Sequence, residues 1–156
     1  MDKKRVFNGL LEKIKALRQG REDIRDRFED ICRLLHDEVA YYDWVGFYLV
    51  DTHRDHRLVL GPFAGAPTEH RLIPFGQGVC GRAAADRQVI IVDDVTTESN
   101  YLSCNIRVRS EMVIPILHGR KLWGVLDIDS HTKAAFKDDD RTFLIEVGQA
   151  VSAMLQ

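Results

Sequence analysis

Residues 111–130 read EMVIPILHGRKLWGVLDIDS, and this stretch decides the fold that we expect. Two apolar runs, EMVIPIL and LWGVLDIDS, flank the polar sequence HGRK, which is the pattern of a β-hairpin. Glu111 opens the first run, and Asp127 and Asp129 interrupt the end of the second. Because successive side chains of a strand point to opposite faces, the two aspartates leave their strand on the same face. The hairpin therefore predicts a sheet that carries carboxylates on one face.

Helical patterns lie at the two ends of the 156-residue chain. Apolar side chains recur at helical spacing in residues 3–18 and 21–36, and again after Asp138, which is placed to cap a last helix. Cys32 lies on the apolar stripe of the second helix and is expected to be a core thiol. The two ends therefore predict helices that pack on whatever lies between them.

Short apolar runs fill the middle of the chain. They predict strands at residues 41–51, 57–63, 71–75 and 89–92. Alanines that follow a glycine-rich turn predict a short helix in residues 79–87. The whole order predicts an α+β fold with helices packed on an antiparallel sheet. We expect one domain, with helices in residues 1–40, the sheet and ligand loops in 41–130, and a helix in 138–155.

Carboxylates within apolar strands allow two interpretations. Glu111, Asp127 and Asp129 could lie at an exposed strand end and simply be solvated. Alternatively, they could line a pocket that binds an amine. Like charges that lie close together raise the pKa of one member, which would then serve as a general acid.

Two cysteines near this hairpin suggest sulfur chemistry. Cys80 lies at the start of the short helix, and Cys104 lies in a polar loop close to Arg107 and Arg109. A helix N-terminus and nearby guanidinium groups both lower the pKa of a thiol. Two such thiols suggest an attacking and a resolving cysteine, although each alone could be an unreactive small residue.

Aromatic residues in the first predicted strand offer a pocket wall. Trp44 and Tyr48 share one face of that strand by alternation. Such pairs are typical of a core, but they could also enclose an apolar group such as a thioether methyl.

Charge and composition exclude several classes of function. The formal net charge of −2 argues against a nucleic-acid surface. No apolar run is long enough to span a bilayer, and the first residues lack a signal-peptide pattern, so we expect a cytoplasmic protein and no membrane contact. The histidines show no zinc-ligand spacing, and the GxGxxG pattern formed by Gly76, Gly78 and Gly81 is weak alone. We therefore expect no metal and no cofactor.

The sequence resembles the GAF-domain family and, within it, the free methionine-(R)-sulfoxide reductases. The likeness covers nearly the whole chain. It is carried by the strings DWVGFYLV, LVLGPFAG, IPFGQGVCG, VDDV, the segment from Cys104 to RSEMVIPI, and GVLDIDS. The resemblance implies a GAF-like sheet with helices and an oxidoreductase whose substrate is free methionine sulfoxide.

The resemblance also implies roles for individual residues. Cys104 would attack the sulfoxide sulfur, and Cys80 would resolve the resulting sulfenic acid as a disulfide that a thioredoxin-type partner reduces. Three acidic residues would hold the amino acid and assist protonation of the sulfoxide oxygen, and two aromatic residues would enclose its methyl end: Glu111, Asp127, Asp129, Trp44 and Tyr48.

Two positions depart from that family. His70 stands where members often have a further cysteine, so Cys80 is the resolving candidate that remains. Asn100 and Tyr101 replace a typical Gly-His pair. Two alternative functions therefore stay open: a GAF module that binds a small molecule without turnover, and a scaffold that forms a homodimer through its terminal helices.

Overall fold

The computed structural model describes residues 2–20, 23–98, 101 and 107–155. Cys104, the predicted attacking thiol, and most of the polar loop around it lie outside these described residues. The helices are α1 (Lys3–Gly20), α2 (Ile24–Glu38), α3 (Gly78–Asp86) and α4 (Asp138–Met154). The strands are β1 (Trp44–Val50), β2 (Arg57–Ala64), β3 (Leu72–Pro74), β4 (Ile90–Val92), β5 (Ser110–His118) and β6 (Lys121–Ser130).

In the described part of the chain, six strands form one sheet in the order β3-β2-β1-β6-β5-β4. Every pair of neighbouring strands is antiparallel. The predicted hairpin is the β5–β6 pair, which lies near the middle of the sheet together with β1. The α+β prediction with an antiparallel sheet is therefore confirmed.

Helices α1, α2 and α4 cover one face of this sheet. Their apolar side chains meet Val45 and Phe47 of β1 in a single core, which also contains the buried thiol of Cys32. The prediction of a core thiol is confirmed, since Cys32 is inaccessible to solvent and donates to the carbonyl of Pro62. Ile24 is 37% exposed because it lies at the first position of α2, although the helical pattern of residues 21–36 predicted an apolar stripe there.

The opposite face of the sheet is covered by α3. Gly76 and Gly78 adopt φ angles of 88° and 64°, a region that other residues rarely occupy, and they turn the chain from β3 into this helix. A Cβ atom at Gly81 would lie 2.6 Å from the carbonyl oxygen of Pro74, so α3 approaches the strand end closely. This turn holds Cys80, in the first turn of α3, against the sheet.

The buried carboxylate of Asp140 links α4 to α1 and to the segment before β1. Asp140 accepts hydrogen bonds from the hydroxyls of Tyr41 and Tyr42, both at 2.6 Å, and from the Lys3 ammonium at 3.0 Å. It also accepts from the backbone N–H of Lys137 at 3.1 Å, so it satisfies a free donor at the start of α4. The prediction that Asp138 caps this helix is wrong by one position, since Lys137 is the N-cap residue.

The length and composition of the helices show whether one of them could span a membrane. Across the described residues, none of them combines the length and the apolar character that crossing a bilayer requires. The cytoplasmic location stays a prediction.

We predict that Asp140→Ala lowers the free energy of unfolding by about 3 kcal/mol, because it leaves the buried hydroxyl of Tyr42, the partly buried hydroxyl of Tyr41 and the Lys3 ammonium without their acceptor. Urea unfolding measures this difference. Asp139→Ala is the matched control, since Asp139 is an exposed carboxylate in the same helical turn with the same favourable position in the helix dipole. Equal losses in both variants would show that the dipole, rather than the buried hydrogen bonds, sets the stability.

Candidate active site

Three carboxyl groups meet on the face of the sheet that α3 covers. The register places Glu111 of β5 directly opposite Asp129 of β6, and Asp127 lies two positions earlier on the same face. Only 4%, 4% and 1% of Glu111, Asp127 and Asp129 are exposed. The alternative in which these acids are solvated at an open strand end is therefore wrong.

The thiol of Cys80 reaches this cluster from above the sheet. Its Sγ atom lies 3.9 Å from Oε2 of Glu111, and Cys80 itself is 5% exposed. One potential ligand atom each from Cys80, Glu111 and Asp127 lies within 4.8 Å of the others. The structure thus brings together four of the predicted site residues, which come from three separate elements of the chain.

Burial sets the protonation of the carboxyl groups. It raises the pKa of Glu111 well above its ordinary value, and the negative charges of Asp127 and Asp129 raise it further. Burial also raises the pKa of Asp127, but hydrogen bonds from Glu111, Cys80 and Asp129 act in the opposite direction. The raised pKa of Glu111 favours its protonated form, and Asp127 accepts a hydrogen bond from it.

The Cys80 thiol is protonated as well. Burial raises its pKa well above the ordinary value, and the charges of Asp127, Glu111 and Asp129 add to this effect. The expectation that the start of α3 lowers this pKa is wrong, because desolvation and three nearby acids outweigh a short helix. Cys80 is thus a neutral thiol in the resting protein.

A small cavity of about 10 Å³ lies beside these groups, which is room for about one water molecule. A ligand larger than water must therefore displace side chains of its wall. Larger clefts, of about 410 and 630 Å³, lie along α1 and α4, and none of their described lining residues is a cysteine. The described residues that line the small cavity are Tyr48, His70, Ile73, Gln77, Gly78, Val79, Cys80, Glu111, Asp127 and Asp129.

The two predicted aromatic residues play different parts. Tyr48 lines the cavity, and its hydroxyl donates to the carbonyl of His70 at 2.9 Å. Trp44 is not among the described lining residues; it stacks on Tyr48 with 6.1 Å between ring centroids, and its Nε1 donates to the carbonyl of Ala66. Gly46 makes room for this arrangement, because a Cβ atom there would lie 2.3 Å from the Trp44 ring.

Other lining residues were not predicted as site residues. His70 was noted only as a departure from the family pattern, and Ile73 and Gln77 were not singled out. His70 and Ile73 precede the glycine turn that leads into α3, and Gln77 lies within it. This position was the available signal, since the residues that precede the helix carrying Cys80 are held near the same site.

Comparisons with known proteins identify the relatives of this chain. The family model described as the GAF domain matches residues 23–155. The free methionine-R-sulfoxide reductase of Escherichia coli (strain K12) is 36% identical over 140 residues, which cover 90% of this chain and 82% of that protein.

Solved structures give the same result. A free methionine-R-sulfoxide reductase from Neisseria meningitidis, in complex with its substrate, superposes with a TM-score of 0.92 at 33% identity, covering 99% of this chain and 90% of that one. A GAF sensor protein from Burkholderia vietnamiensis superposes with a TM-score of 0.89 at 31% identity, covering 97% and 94%. The chain belongs to the GAF-domain family and, within it, to the group of the free methionine-R-sulfoxide reductases. The predicted family and the predicted enzyme class, an oxidoreductase, are confirmed.

We predict that Glu111→Gln flattens the pH dependence of stability. Between the ordinary value of 4.5 and the raised folded-state pKa, the folded protein keeps a proton that the unfolded chain has released. Stability of the parent protein therefore falls as the pH rises through this window, by up to about 1.4 kcal/mol per pH unit for one group. Glutamine does not ionise, so thermal unfolding between about pH 5 and pH 9 should show a smaller slope in the variant.

The control for this measurement is Glu146→Gln, which removes an exposed carboxylate on α4. It should keep the parent slope. Parallel stability curves for Glu111→Gln and the parent protein would mean that Glu111 ionises normally in the folded state.

Proposed function

We propose that this protein reduces free methionine-(R)-sulfoxide to methionine. The observation that carries the proposal is the buried cluster of Glu111, Asp127 and Asp129 beside the Cys80 thiol, in a chain whose relatives include free methionine-R-sulfoxide reductases. A cluster of this kind offers an anionic site for the ammonium group of a free amino acid and a proton for a sulfoxide oxygen.

Recognition of a free amino acid follows from the charges of the cavity. Asp127 and Asp129 are buried acids, and there is no lysine or arginine among the described residues that line the cavity. A substrate ammonium would supply the missing positive charge. A methionine within a protein chain lacks that ammonium, so the acids favour the free amino acid.

Proton delivery is the role that we assign to Glu111. A sulfoxide oxygen leaves its sulfur more readily when it is protonated. Burial and acidic neighbours raise the pKa of Glu111, which favours the protonated carboxyl that such a step requires. Tyr48, supported by Trp44, would form the apolar wall for the methyl end.

The thiols would act in sequence. The Cys104 thiolate attacks the sulfoxide sulfur, the oxygen passes to the cysteine as sulfenic acid, and methionine leaves. The Cys80 sulfur then bonds to the Cys104 sulfur, and the sulfenic oxygen departs as water with the proton of the Cys80 thiol. A thioredoxin-type dithiol reduces this disulfide and restores both thiols.

The state of the other two cysteines supports this division of roles. Cys80 is neutral and buried, which makes it a poor nucleophile for the first attack on the sulfoxide. As the resolving cysteine it would give its proton to the departing sulfenic oxygen while its sulfur bonds to that of Cys104. Cys32 is sealed in the core on the opposite face of the sheet. Arg107 and Arg109, close to Cys104 in sequence, favour a thiolate at that position.

We predict that Cys104→Ser abolishes methionine release from free methionine-(R)-sulfoxide. Cys80→Ser should release about one methionine per chain in a first turnover and then recycle poorly with a thioredoxin system, because its sulfenic acid has no resolving partner. Amino-acid analysis after rapid mixing measures both quantities.

Cys32→Ser is the matched control for these variants and should turn over like the parent protein. Full activity in Cys104→Ser would remove the proposed nucleophile. Bound sulfoxide without any methionine release from the parent protein would instead favour the GAF module that binds a ligand without turnover.

We also predict that Glu111→Gln lowers kcat by about 100-fold or more, since it removes the proposed general acid. In the parent protein, kcat should fall as the pH rises through the raised pKa of Glu111, because the acid form is the active one. Steady-state kinetics across pH measure both effects, with Glu146→Gln as the control. An unchanged pH profile in Glu111→Gln would assign the proton to another group.

A further inference from the structure

The cluster beside the cavity also has the composition of a metal site. Cys80, Glu111 and Asp127 come from three different elements, α3, β5 and β6, and each is at least 95% buried. Their ligand atoms lie within 4.8 Å of one another. Residues held by separate elements of a sheet and a covering helix are fixed by the fold, so these atoms do not depend on a single loop for their position.

One oxygen atom of this cluster is a buried acceptor with no hydrogen bond among the described residues. Oδ1 of Asp127 is inaccessible to solvent and makes no hydrogen bond to the described residues. Leaving such an oxygen unpaired is costly in a buried environment. Among the described residues around the cavity no lysine or arginine is present to compensate it, so a cation from solution would fill this need.

The ligand types favour a cation that binds thiolate, and the distances lie within reach of zinc. Zinc binds sulfur at about 2.3 Å and carboxylate oxygen at about 2.0–2.2 Å, so a tetrahedral site separates the two ligand atoms by about 3.5 Å. The observed separation between Sγ of Cys80 and Oε2 of Glu111 is 3.9 Å. Drawing the three atoms onto one ion requires movements of about 1 Å, and a thiolate ligand disfavours magnesium and calcium.

We propose that Cys80, Glu111 and Asp127 form a binding site for one Zn²⁺ ion. Three protein ligands leave a fourth tetrahedral position, and the adjoining cavity has room for about one water molecule there. The absence of zinc-ligand spacing in the sequence does not oppose this site, because its ligands are not histidines and meet only in the fold.

Zinc at this site would inhibit the reductase, a consequence that rests on the proposed function. The ion would occupy the acids that receive the substrate ammonium, displace the proton of Glu111 and hold the Cys80 sulfur as a metal-bound thiolate. Binding and turnover would then exclude each other, and free zinc would act as a competitive inhibitor.

Binding is tested on the reduced full chain without any sulfoxide, by titration calorimetry with zinc. We expect one ion per chain. Cys80→Ser and Asp127→Asn should each weaken the affinity by at least about 100-fold, since even the outer partners of metal ligands account for about 10- to 100-fold. Cys32→Ser and Cys104→Ser are matched thiol controls and should keep the site. Far-ultraviolet circular dichroism confirms that each variant is folded.

Cadmium gives an independent readout, because a thiolate bound to it absorbs in the ultraviolet. This band should appear in the parent protein and in Cys104→Ser and be absent from Cys80→Ser. No binding to the parent protein, unchanged affinity in Cys80→Ser, or a loss in Cys104→Ser as large as that in Cys80→Ser would each overturn the proposal.

Inhibition is measured separately with a thioredoxin system as reductant, since dithiothreitol itself binds zinc. Zinc should raise KM for the sulfoxide without lowering kcat. Zinc binding in a chain that does not reduce the sulfoxide would refute the proposed function alone. Turnover that zinc leaves unchanged, in a chain that fails to bind it, would refute the zinc site alone.

Discussion

The site depends on the antiparallel register of β5 and β6. Because Glu111 lies opposite Asp129, and Asp127 is two positions from it, three acids must share one face of the sheet. A register shift of one residue would turn Asp127 and Asp129 toward the helical core on the other face. The positions of the three negative groups in the site are therefore set by the sheet and do not depend on a loop.

The two faces of the sheet carry cores of different size and composition. Helices α1, α2 and α4 bury an apolar core on one side, and α3 covers a smaller core on the other. In this smaller core the acids and Cys80 lie among apolar side chains that exclude water. The raised pKa values of Glu111 and Cys80 arise mainly from this exclusion, so proton retention and packing have the same structural origin.

Much of this arrangement could be predicted from local patterns. Alternation along β1 placed Trp44 and Tyr48 on one face, and alternation along β6 did the same for Asp127 and Asp129. The burial of those acids could not be read from the strand itself, because it depends on α3, a distant segment that covers the strand end. For the same reason the thiol pKa of Cys80 was predicted in the wrong direction, since its acidic neighbours belong to other elements.

The start of α4 shows a related limit. Three consecutive aspartates, residues 138–140, each satisfy the pattern of a helix start, and only tertiary contacts distinguish them. Asp140 is buried because Tyr41, Tyr42 and Lys3 converge on it.

The size of the cavity beside Cys80 has a consequence for selectivity. A cavity that admits about one water molecule would discriminate between ligands by their size. A bound amino acid would have to displace side chains of the wall, whereas a bare ion would need only smaller movements. Part of the interaction energy of an amino acid would then be used to displace the wall. Its apparent affinity would therefore depend on the rigidity of the wall as well as on the fit.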